Sequence, residues 1–221
     1  MNLRCALVAE GTTDKALLPI LGWAIRRDLR VKEFELQFAE PFLLPPIRDR
    51  LTPKIRRALE LYPCNLLFVH RDADREAAVT RREEIRGAVA AAAGGPVAVP
   101  VVPVRMTEAW LLINEAAIRS AAGNPRGTMA LELPSRSVAI EREPNPKALL
   151  HNALRSACGL HGRKLAKFDP QASARRVSEL VVDWGPLRQL AAYLEFEHEL
   201  QGALDHLASK STRGTGFRDP H

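Results

Sequence analysis

The sequence contains few aromatic residues and few cysteines, and it has no long apolar run. Phe, Trp and Tyr make up 5% of the chain, so stacking of bases on an aromatic platform is not expected to be its main binding mode. Cys5, Cys64 and Cys158 are widely spaced, a pattern that indicates neither a disulfide framework nor a zinc site. No apolar stretch reaches the roughly 18 residues of a membrane span, and the apolar start of the chain ends at Glu10, too early for a secretory signal. These absences predict a soluble, cytoplasmic protein that does not act at a membrane.

Several catalytic motifs are also absent. No glycine-rich phosphate loop is present, because Gly94-Gly95 stands where a helix is expected to end. The run His70-Arg71-Asp72 is reminiscent of a kinase catalytic loop, but Ala77 occupies the position that requires Asn and no Asp-Phe-Gly follows. The two tyrosines, Tyr62 and Tyr193, lie in no motif, which disfavours a covalent tyrosine intermediate. Four histidines without metal-ligand spacing are interpreted as structural or exposed: His70, His151, His161 and His198.

Positive charge is in moderate excess. Lys and Arg number 32 against 26 Asp and Glu, and the isoelectric point is near 9.6. Arginine suits phosphate contacts, because its guanidinium group matches phosphate oxygens with two donors. An arginine- and alanine-rich composition also results from a GC-rich genome, so composition leaves nucleic-acid binding open.

The first 115 or so residues alternate strand-like and helix-like patterns. Apolar or alternating runs predict strands at 3–9, 34–38, 65–70 and 97–104. Helical patterns lie between them, at 14–29, at 75–93, and from Thr52-Pro53 to Pro63, with another helix after Thr107. Pro100 and Pro103 indicate that the fourth strand is short or at an edge. This alternation predicts an α/β fold with a mainly parallel sheet flanked by helices.

The chain changes character after this region. We predict an α/β core at 1–122, followed at 123–208 by an irregular, proline-rich segment and a helical appendage with helices at 146–157, 172–182 and 186–208. The polar residues 209–221 are expected to form a disordered tail. No internal repeat is present.

Acidic residues follow three of the predicted strands. Glu10 follows the first strand, Asp72 and Asp74 follow the strand at 65–70, and Glu108 comes after the fourth. Ligands of parallel sheets collect at the carboxyl ends of the strands. Two carboxylates as close as Asp72 and Asp74 repel each other unless a cation lies between them, and a hard divalent ion prefers oxygen ligands. These residues therefore predict a site for Mg²⁺ or Mn²⁺.

Each acidic residue also has a simpler interpretation. Glu10 could be an exposed loop residue or form an ion pair with an arginine. One of Asp72 and Asp74 could cap the following helix while the other is solvated. Glu108 follows Thr107 in the first turn of a predicted helix, where its charge could simply stabilise the positive end of the helix dipole. The joint occurrence at equivalent strand ends is what favours the metal site.

These residues resemble those of a known family. An apolar strand that runs into Glu10-Gly11-Thr12-Thr13-Asp14, with a later strand that runs into Asp72-Ala73-Asp74, resembles the Toprim domain of topoisomerases, primases, recombination proteins and nucleases of the overcoming-lysogeny-defect type. The segment Val104-Arg105-Met106-Thr107-Glu108-Ala109-Trp110-Leu111 looks like that of small stand-alone Toprim proteins of unknown function, often encoded beside SMC-like or ABC-like ATPases in settings suggestive of phage defence. The resemblance covers about residues 3–115.

The resemblance implies a role for each acidic residue. Glu10 is similar to the family's glutamate, which is a metal ligand or a general acid and base, and Asp72 and Asp74 are similar to its metal-binding aspartates. Glu108 would be an additional ligand. The family also implies a basic catalytic residue, which no motif identifies. The candidates in the C-terminal part are Lys147, Lys164 and, as the preferred one, Lys167.

Two functions remain in view. The first is Mg²⁺- or Mn²⁺-dependent phosphodiester hydrolysis of nucleic acid, with DNA expected, in association with a partner ATPase. The second is a non-catalytic module that binds a metal or nucleotide and regulates that ATPase. Retention of the full acidic set favours the enzyme. A glycosyltransferase that uses Asp-x-Asp for a nucleotide sugar is disfavoured, because it leaves Glu10 unexplained. The sequence leaves the oligomeric state open.

Overall fold

The computed structural model describes residues 1–46, 51–74, 76–92 and 95–214. Within these ranges the chain forms four strands, and all of them pair in parallel in a single sheet. They are β1 (Asn2–Val8), β2 (Glu33–Phe38), β3 (Leu66–His70) and β4 (Val97–Val101). The α/β fold with helices flanking a parallel sheet is confirmed. β4 has five residues and lies at an edge, as Pro100 and Pro103 predicted.

Helices connect consecutive strands. After β1, a 3₁₀ helix (Thr12–Ala16) leads into α1 (Leu17–Arg26). A short 3₁₀ helix (Pro41–Leu43) and α2 (Leu51–Leu61) lie between β2 and β3, and α3 (Ala78–Ala92) joins β3 to β4. The helix predicted from Thr52-Pro53 onwards is α2, which already includes Leu51.

The strand order determines where a ligand site is expected. The order is β2-β1-β3-β4, with Leu7 of β1 opposite Phe68 of β3. The chain therefore leaves β1 towards one side of the sheet and leaves β3 towards the other. Right-handed crossovers then place α1 on one face and α2 and α3 on the opposite face. Such a switch in direction opens a crevice at the carboxyl ends of the two strands, where ligands of open α/β sheets bind.

Side chains alternate between two hydrophobic clusters, one on each face of the sheet. Leu7 and Phe68 face the larger cluster, which includes α1 and the C-terminal helices, whereas Val8 and Val69 face a smaller cluster formed with α2 and α3. Both central strands are buried on both faces, which is why they appear in the sequence as short continuous apolar runs.

The remaining helices pack on the face of the sheet that α1 covers. They are α4 (Glu108–Leu111), α5 (Glu115–Ala121), α6 (Ser137–Arg142), α7 (Pro146–Ala157), α8 (Gly162–Ala166), α9 (Pro170–Leu180) and α10 (Ala191–Gly214), with a 3₁₀ helix at Gly185–Gln189. The appendage shares its hydrophobic cluster with the sheet rather than forming a separate core. Trp110 of α4 packs edge-on against Tyr193 of α10, with ring centroids 5.4 Å apart.

The C-terminal end differs from the prediction. α10 continues to Gly214, so the first part of the tail expected at 209–221 is helical, because it extends a helix already anchored by Tyr193, Phe196 and Leu204 in the core. Residues 215–221 lie outside the described residues. None of the helices in the described ranges has both the length and the apolar character needed to cross a membrane.

An ion-pair group at the surface ties α10 to the segment between α1 and β2. The Arg30 guanidinium lies 2.5 Å from Oδ2 of Asp28 and 2.7 Å from Oδ1 of Asp205 on α10. We call these three residues the α10 clamp. The Arg30 hydrogen bonds lower the pKa of Asp28, and hydrogen bonds from Arg30 and Gln201 likewise lower the pKa of Asp205.

Candidate active site

The acidic residues singled out in the sequence lie at the carboxyl ends of the strands. Glu10 stands two residues after β1 and Asp72 two residues after β3, on either side of the switch point. Burial raises the pKa values of Asp74 and Glu108, and the charge of Asp72 raises both further. We call Glu10, Asp14, Asp72, Asp74 and Glu108 the acidic edge.

Glu10 is held by its neighbour across the sheet. The Arg71 Nε donates to Glu10 Oε1 at 2.6 Å, and the Asp72 backbone N–H points at the same oxygen from 3.3 Å. Arg71 also pairs with Glu84 of α3. Glu10 therefore does form an ion pair with an arginine, as its simpler interpretation proposed. This arginine, Arg71, is itself part of the site and connects the end of β3 to the end of β1.

A second group of side chains lies deeper and consists of Asp14, His70, Asp72 and Thr107, which we call the buried cluster. The Thr107 N–H donates to Asp72 Oδ1 at 3.1 Å, and His70 Nε2 lies 3.3 Å from the same oxygen. His70 Nε2 is also 3.3 Å from Thr107 Oγ1 and 3.8 Å from Asp14 Oδ1. Thr107 thus stands at the N-cap of α4, but its hydroxyl contacts His70 instead of the helix backbone.

His70 is fully buried and charged. Burial by itself lowers the pKa of His70, but Asp72, Asp14 and the Val101 carbonyl outweigh that effect and raise it to about 9. Its Nδ1 donates to the Val101 carbonyl at 3.0 Å, which directs Nε2 towards the two aspartates. His70 is therefore an imidazolium near neutral pH that fixes the position of the Asp72 carboxylate.

Asp14 joins the buried cluster because of a local turn. Gly11 is the N-cap of the first 3₁₀ helix, and its N–H donates to Asp14 Oδ2 at 2.8 Å. This bond turns the carboxylate back to the end of β1, where it is only 7% exposed. Burial raises the pKa of Asp14, His70 and the Gly11 N–H lower it, and the charges of Asp72 and Glu10 raise it further.

Asp74 has the opposite environment from Asp72, although only one residue separates them. It is exposed, adopts a left-handed backbone conformation with φ of 52°, and donates its N–H to the carbonyl of Arg105, which itself has φ of 63°. Non-glycine residues in this region carry strain that clusters at functional sites. Desolvation and the charges of Asp72 and Glu10 raise the pKa of Asp74.

Glu108 lines a narrow cavity that adjoins the buried cluster. Asp14, Thr107, Glu108, Lys147, His151 and Arg175 are among its lining residues, and its volume is about 30 Å³. A space of this size holds a water molecule or an ion and no nucleotide. Burial raises the pKa of Glu108, its own N–H and Lys147 lower it, and the charges of Asp72 and Asp14 raise it.

The candidate basic residues are distributed unequally around the site. Lys147 Nζ lies 3.9 Å from Glu108 Oε1. Lys164 and the preferred Lys167 are exposed on and just after α8, and in the part of the chain that the structure describes neither has a hydrogen bond or ion pair with the acidic edge. A fourth basic residue, Lys54, is buried beside the site, and the charges of Glu10 and Asp14 raise its pKa while burial, the larger effect, lowers it.

The carboxylate oxygens of the acidic edge are the type of ligand that a hard divalent cation prefers. Their side chains are not arranged around a common point as in a formed metal site. Among the described residues, no group of three or more Asp, Glu, His or Cys side chains has the arrangement that would hold a metal ion. The observation in favour is that Asp14, Asp74 and Glu108 all have raised pKa values to which neighbouring carboxylates contribute. A cation among the carboxylates would relieve that repulsion.

Sequence reasoning missed four residues of this site: Asp14, Lys54, His70 and Arg71. For His70 and Arg71 a signal existed, since they belong to the same strand end as Asp72 and a buried strand was predicted there. Asp14 was predicted only as the first residue of a helix, and the hydrogen bond from the Gly11 N–H places its carboxylate in the site. Lys54 carried no signal, because a lysine in a helix is ordinarily solvated.

Comparison with known protein families, with curated proteins and with solved structures found no match to this chain. The Toprim resemblance therefore rests on the residues and motifs that carry it, and it stays a prediction.

Proposed function

We propose that this protein is a metal-dependent nuclease that hydrolyses phosphodiester bonds in nucleic acid, with DNA as the expected substrate. The observation that carries the proposal is the accumulation of carboxylates with raised pKa values at the switch point of a parallel sheet. Negative charge concentrated in this way matches the requirement of Mg²⁺ or Mn²⁺ for several oxygen ligands. Perturbed titratable groups that converge at a ligand crevice are typical of active sites.

The residues expected to hold the metal are Glu10, Asp72, Asp74 and Glu108. When bound, Mg²⁺ or Mn²⁺ would polarise a phosphate oxygen and lower the pKa of a water molecule. In the proposed hydrolysis, the water oxygen forms a bond to phosphorus as the bond to the leaving oxygen breaks, and the leaving oxygen takes up a proton. Glu10 is the candidate that accepts the water proton.

Residues around the carboxylates support this role by holding them in place. The Thr107 N–H and the His70 imidazolium both contact Asp72 Oδ1, and among the described residues no hydrogen bond reaches Oδ2. Arg71 donates to Glu10 Oε1, and within the same residues Oε2 accepts no hydrogen bond. An active site needs such preorganised groups, because a carboxylate that rotated freely would not keep the position in which it stabilises the transition state.

The direct test is a cleavage assay with the purified protein. Plasmid DNA, single-stranded DNA and RNA are incubated with Mg²⁺ or Mn²⁺, with EDTA as the metal-free control, and with Asp72→Asn as the control for a contaminating nuclease. We expect cleavage of at least one substrate that EDTA and the substitution both abolish. If the parent cleaves nothing with either metal, alone or with a partner ATPase, the nuclease proposal is wrong.

One observation favours the second candidate, a non-catalytic regulatory module. Glu10 already has a cationic partner in Arg71, whose Nε donates to Glu10 Oε1 at 2.6 Å. A module of this kind would show a melting temperature that rises with metal or nucleotide, and it would cleave no substrate. Its partner ATPase is implied by the family resemblance alone, so binding of such an ATPase would be the positive test.

A further inference from the structure

Lys54 is a lysine buried near the start of α2. It lies in the second turn of α2, and its neighbours Leu51, Ile55 and Ala58 face the smaller hydrophobic cluster. Only 1% of its surface is exposed. Among the described residues, Lys54 forms no hydrogen bond and no ion pair. A buried ammonium group is costly unless it is paired and hydrogen-bonded, so its presence here needs a reason.

The side chain belongs to the same edge of the sheet as the acidic edge. The chain leaves β2 at the carboxyl end of the sheet and α2 returns towards the amino end, which places the first turns of α2, with Lys54, at the carboxyl end. Burial lowers the pKa of Lys54, the charges of Glu10 and Asp14 raise it, and the Arg71 charge lowers it. The ammonium therefore lies within electrostatic reach of these three groups but beyond ion-pair distance from both carboxylates.

Two other cationic side chains of the site, Arg71 and Lys147, already form ion pairs with carboxylates. Arg71 pairs with both Glu10 and Glu84. Lys147 pairs with Glu108, and its side chain is 44% exposed. Among the described residues near the acidic edge, Lys54 is the one cation that is buried and has all three N–H donors of its ammonium group free.

We infer that Lys54 binds the scissile phosphate, donating its ammonium hydrogens to a non-bridging oxygen. This inference rests on the proposed function and identifies the basic residue that the sequence left open. As charge develops on the phosphate oxygens, a desolvated ammonium stabilises it more than a solvated one does. Lys54 remains protonated throughout and transfers no proton. An ammonium held apart from Glu10 and Asp14 keeps its donors for the substrate.

The stability of a charge-neutral variant tests this inference without any assay of activity. Lys54→Met keeps the length of the side chain and removes the charge. If the ammonium is held for a ligand, the metal-free variant should melt about 4 °C higher than the parent, because a buried unpaired charge is replaced by an apolar group. Lys32→Met, at an exposed position before β2, is the matched control and should leave the melting temperature unchanged. A lower melting temperature for Lys54→Met would show that Lys54 stabilises the fold and would overturn the inference.

Phosphate binding provides the second test. Inorganic phosphate added to the Mg²⁺-loaded protein should raise the melting temperature of the parent and of Lys32→Met, and should raise that of Lys54→Met by less than half as much. Equal shifts in all three proteins, including no shift in any, would overturn the inference. A Lys54-dependent shift in a parent that cleaves no nucleic acid would retain Lys54 as an anion ligand and remove the nuclease proposal, so the two failures are distinguishable.

Cleavage kinetics then test the catalytic role. On a substrate that the parent cleaves, Lys54→Met should lower kcat about 100-fold or more, whereas Lys32→Met should not change it. Lys54→Arg retains the charge and should be more active than Lys54→Met. A Lys54→Met protein that is folded and cleaves at the parent's rate would show that Lys54 does not contact the reacting phosphate.

Discussion

Carboxylates in two regions of the molecule have pKa values shifted in opposite directions. In the α10 clamp, Arg30 hydrogen bonds lower the pKa of Asp28. At the acidic edge, burial and neighbouring carboxylates raise the pKa of Asp74 and Glu108. The charge of Asp28 favours the folded chain, whereas the charges of Asp74 and Glu108 oppose it in the absence of a ligand.

The difference indicates what each region is for. A surface ion pair such as the α10 clamp joins two structural elements and changes the free energy of unfolding only slightly, so it indicates no ligand. A group of carboxylates that repel one another at a ligand crevice lowers stability in the absence of a ligand, and a cation bound among them would relieve that repulsion. Substitutions and ligands at the two regions are therefore expected to change activity and stability to different extents.

The largest effect is expected for Asp72→Asn. The amide keeps an oxygen for the Thr107 N–H but cannot pair with the His70 imidazolium or supply a charged metal ligand. Cleavage should fall more than about 100-fold, and the free energy of unfolding should fall by about 2 kcal/mol. Cleavage rates and urea unfolding measure the two effects. Asp28→Asn in the α10 clamp is the control and should cleave like the parent, whereas parental activity in Asp72→Asn would contradict the metal role of Asp72.

Metal addition should stabilise the protein through the acidic edge. A ligand at 100 times its Kd that binds only the folded state adds about 2.7 kcal/mol, which corresponds to a rise of several degrees in melting temperature for a chain of this size. Mg²⁺ or Mn²⁺ should produce this rise in the parent and in Asp28→Asn, and a much smaller one in Asp72→Asn. Differential scanning fluorimetry measures it. A rise of the same size in all three proteins would place the metal elsewhere.

The fold was predictable from the sequence because its determinants are local. Short continuous apolar runs at β1 and β3 and the helical patterns between strands were sufficient for the parallel sheet, and they placed Glu10 and Asp72 at its carboxyl edge. Small helices such as α6 and α8 were not predicted, since their six and five residues carry too little periodicity. The extension of α10 to Gly214 was missed because polar residues in its last turns mark no boundary.

The site was only partly predictable because its chemistry depends on long-range packing. The sequence identified residues that follow strands, but it did not indicate that Arg71 would occupy Glu10 or that His70 would lie under Asp72. Lys54 is 44 residues from Glu10 along the chain, and only the return of α2 across the sheet brings the two together. Lysines that are buried and lysines that are solvated have the same local sequence pattern.

A smaller effect is expected from the α10 clamp itself. Asp28→Asn removes one carboxylate of the Asp28–Arg30–Asp205 group and should lower the free energy of unfolding by about 0.5 kcal/mol at neutral pH. The pKa of Asp28 is lower in the folded chain than its ordinary value near 3.8. Its stabilisation is therefore fully present above that value and is lost as the pH falls through the folded pKa. Urea unfolding at neutral and acidic pH should show the difference between parent and variant shrinking in acid, and a constant difference would contradict this assignment.

The smallest effect, and one of opposite sign, is expected for Glu108→Gln. Because the pKa of Glu108 is higher in the folded chain than in the unfolded one, the charged form opposes folding at neutral pH, and the opposition disappears as the pH falls through the folded pKa and the group takes up its proton. Glutamine imitates the protonated form, so the metal-free variant should be more stable than the parent at neutral pH by a few tenths of a kcal/mol, and the two should become equal in acid. The loss of the 3.9 Å contact with the half-exposed Lys147 offsets little of this gain. Urea unfolding in EDTA at two pH values measures both parts. If Glu108→Gln is less stable than the parent, the Lys147 pair outweighs the repulsion, and Glu108 belongs with the paired charges of the α10 clamp rather than with the residues kept for a ligand.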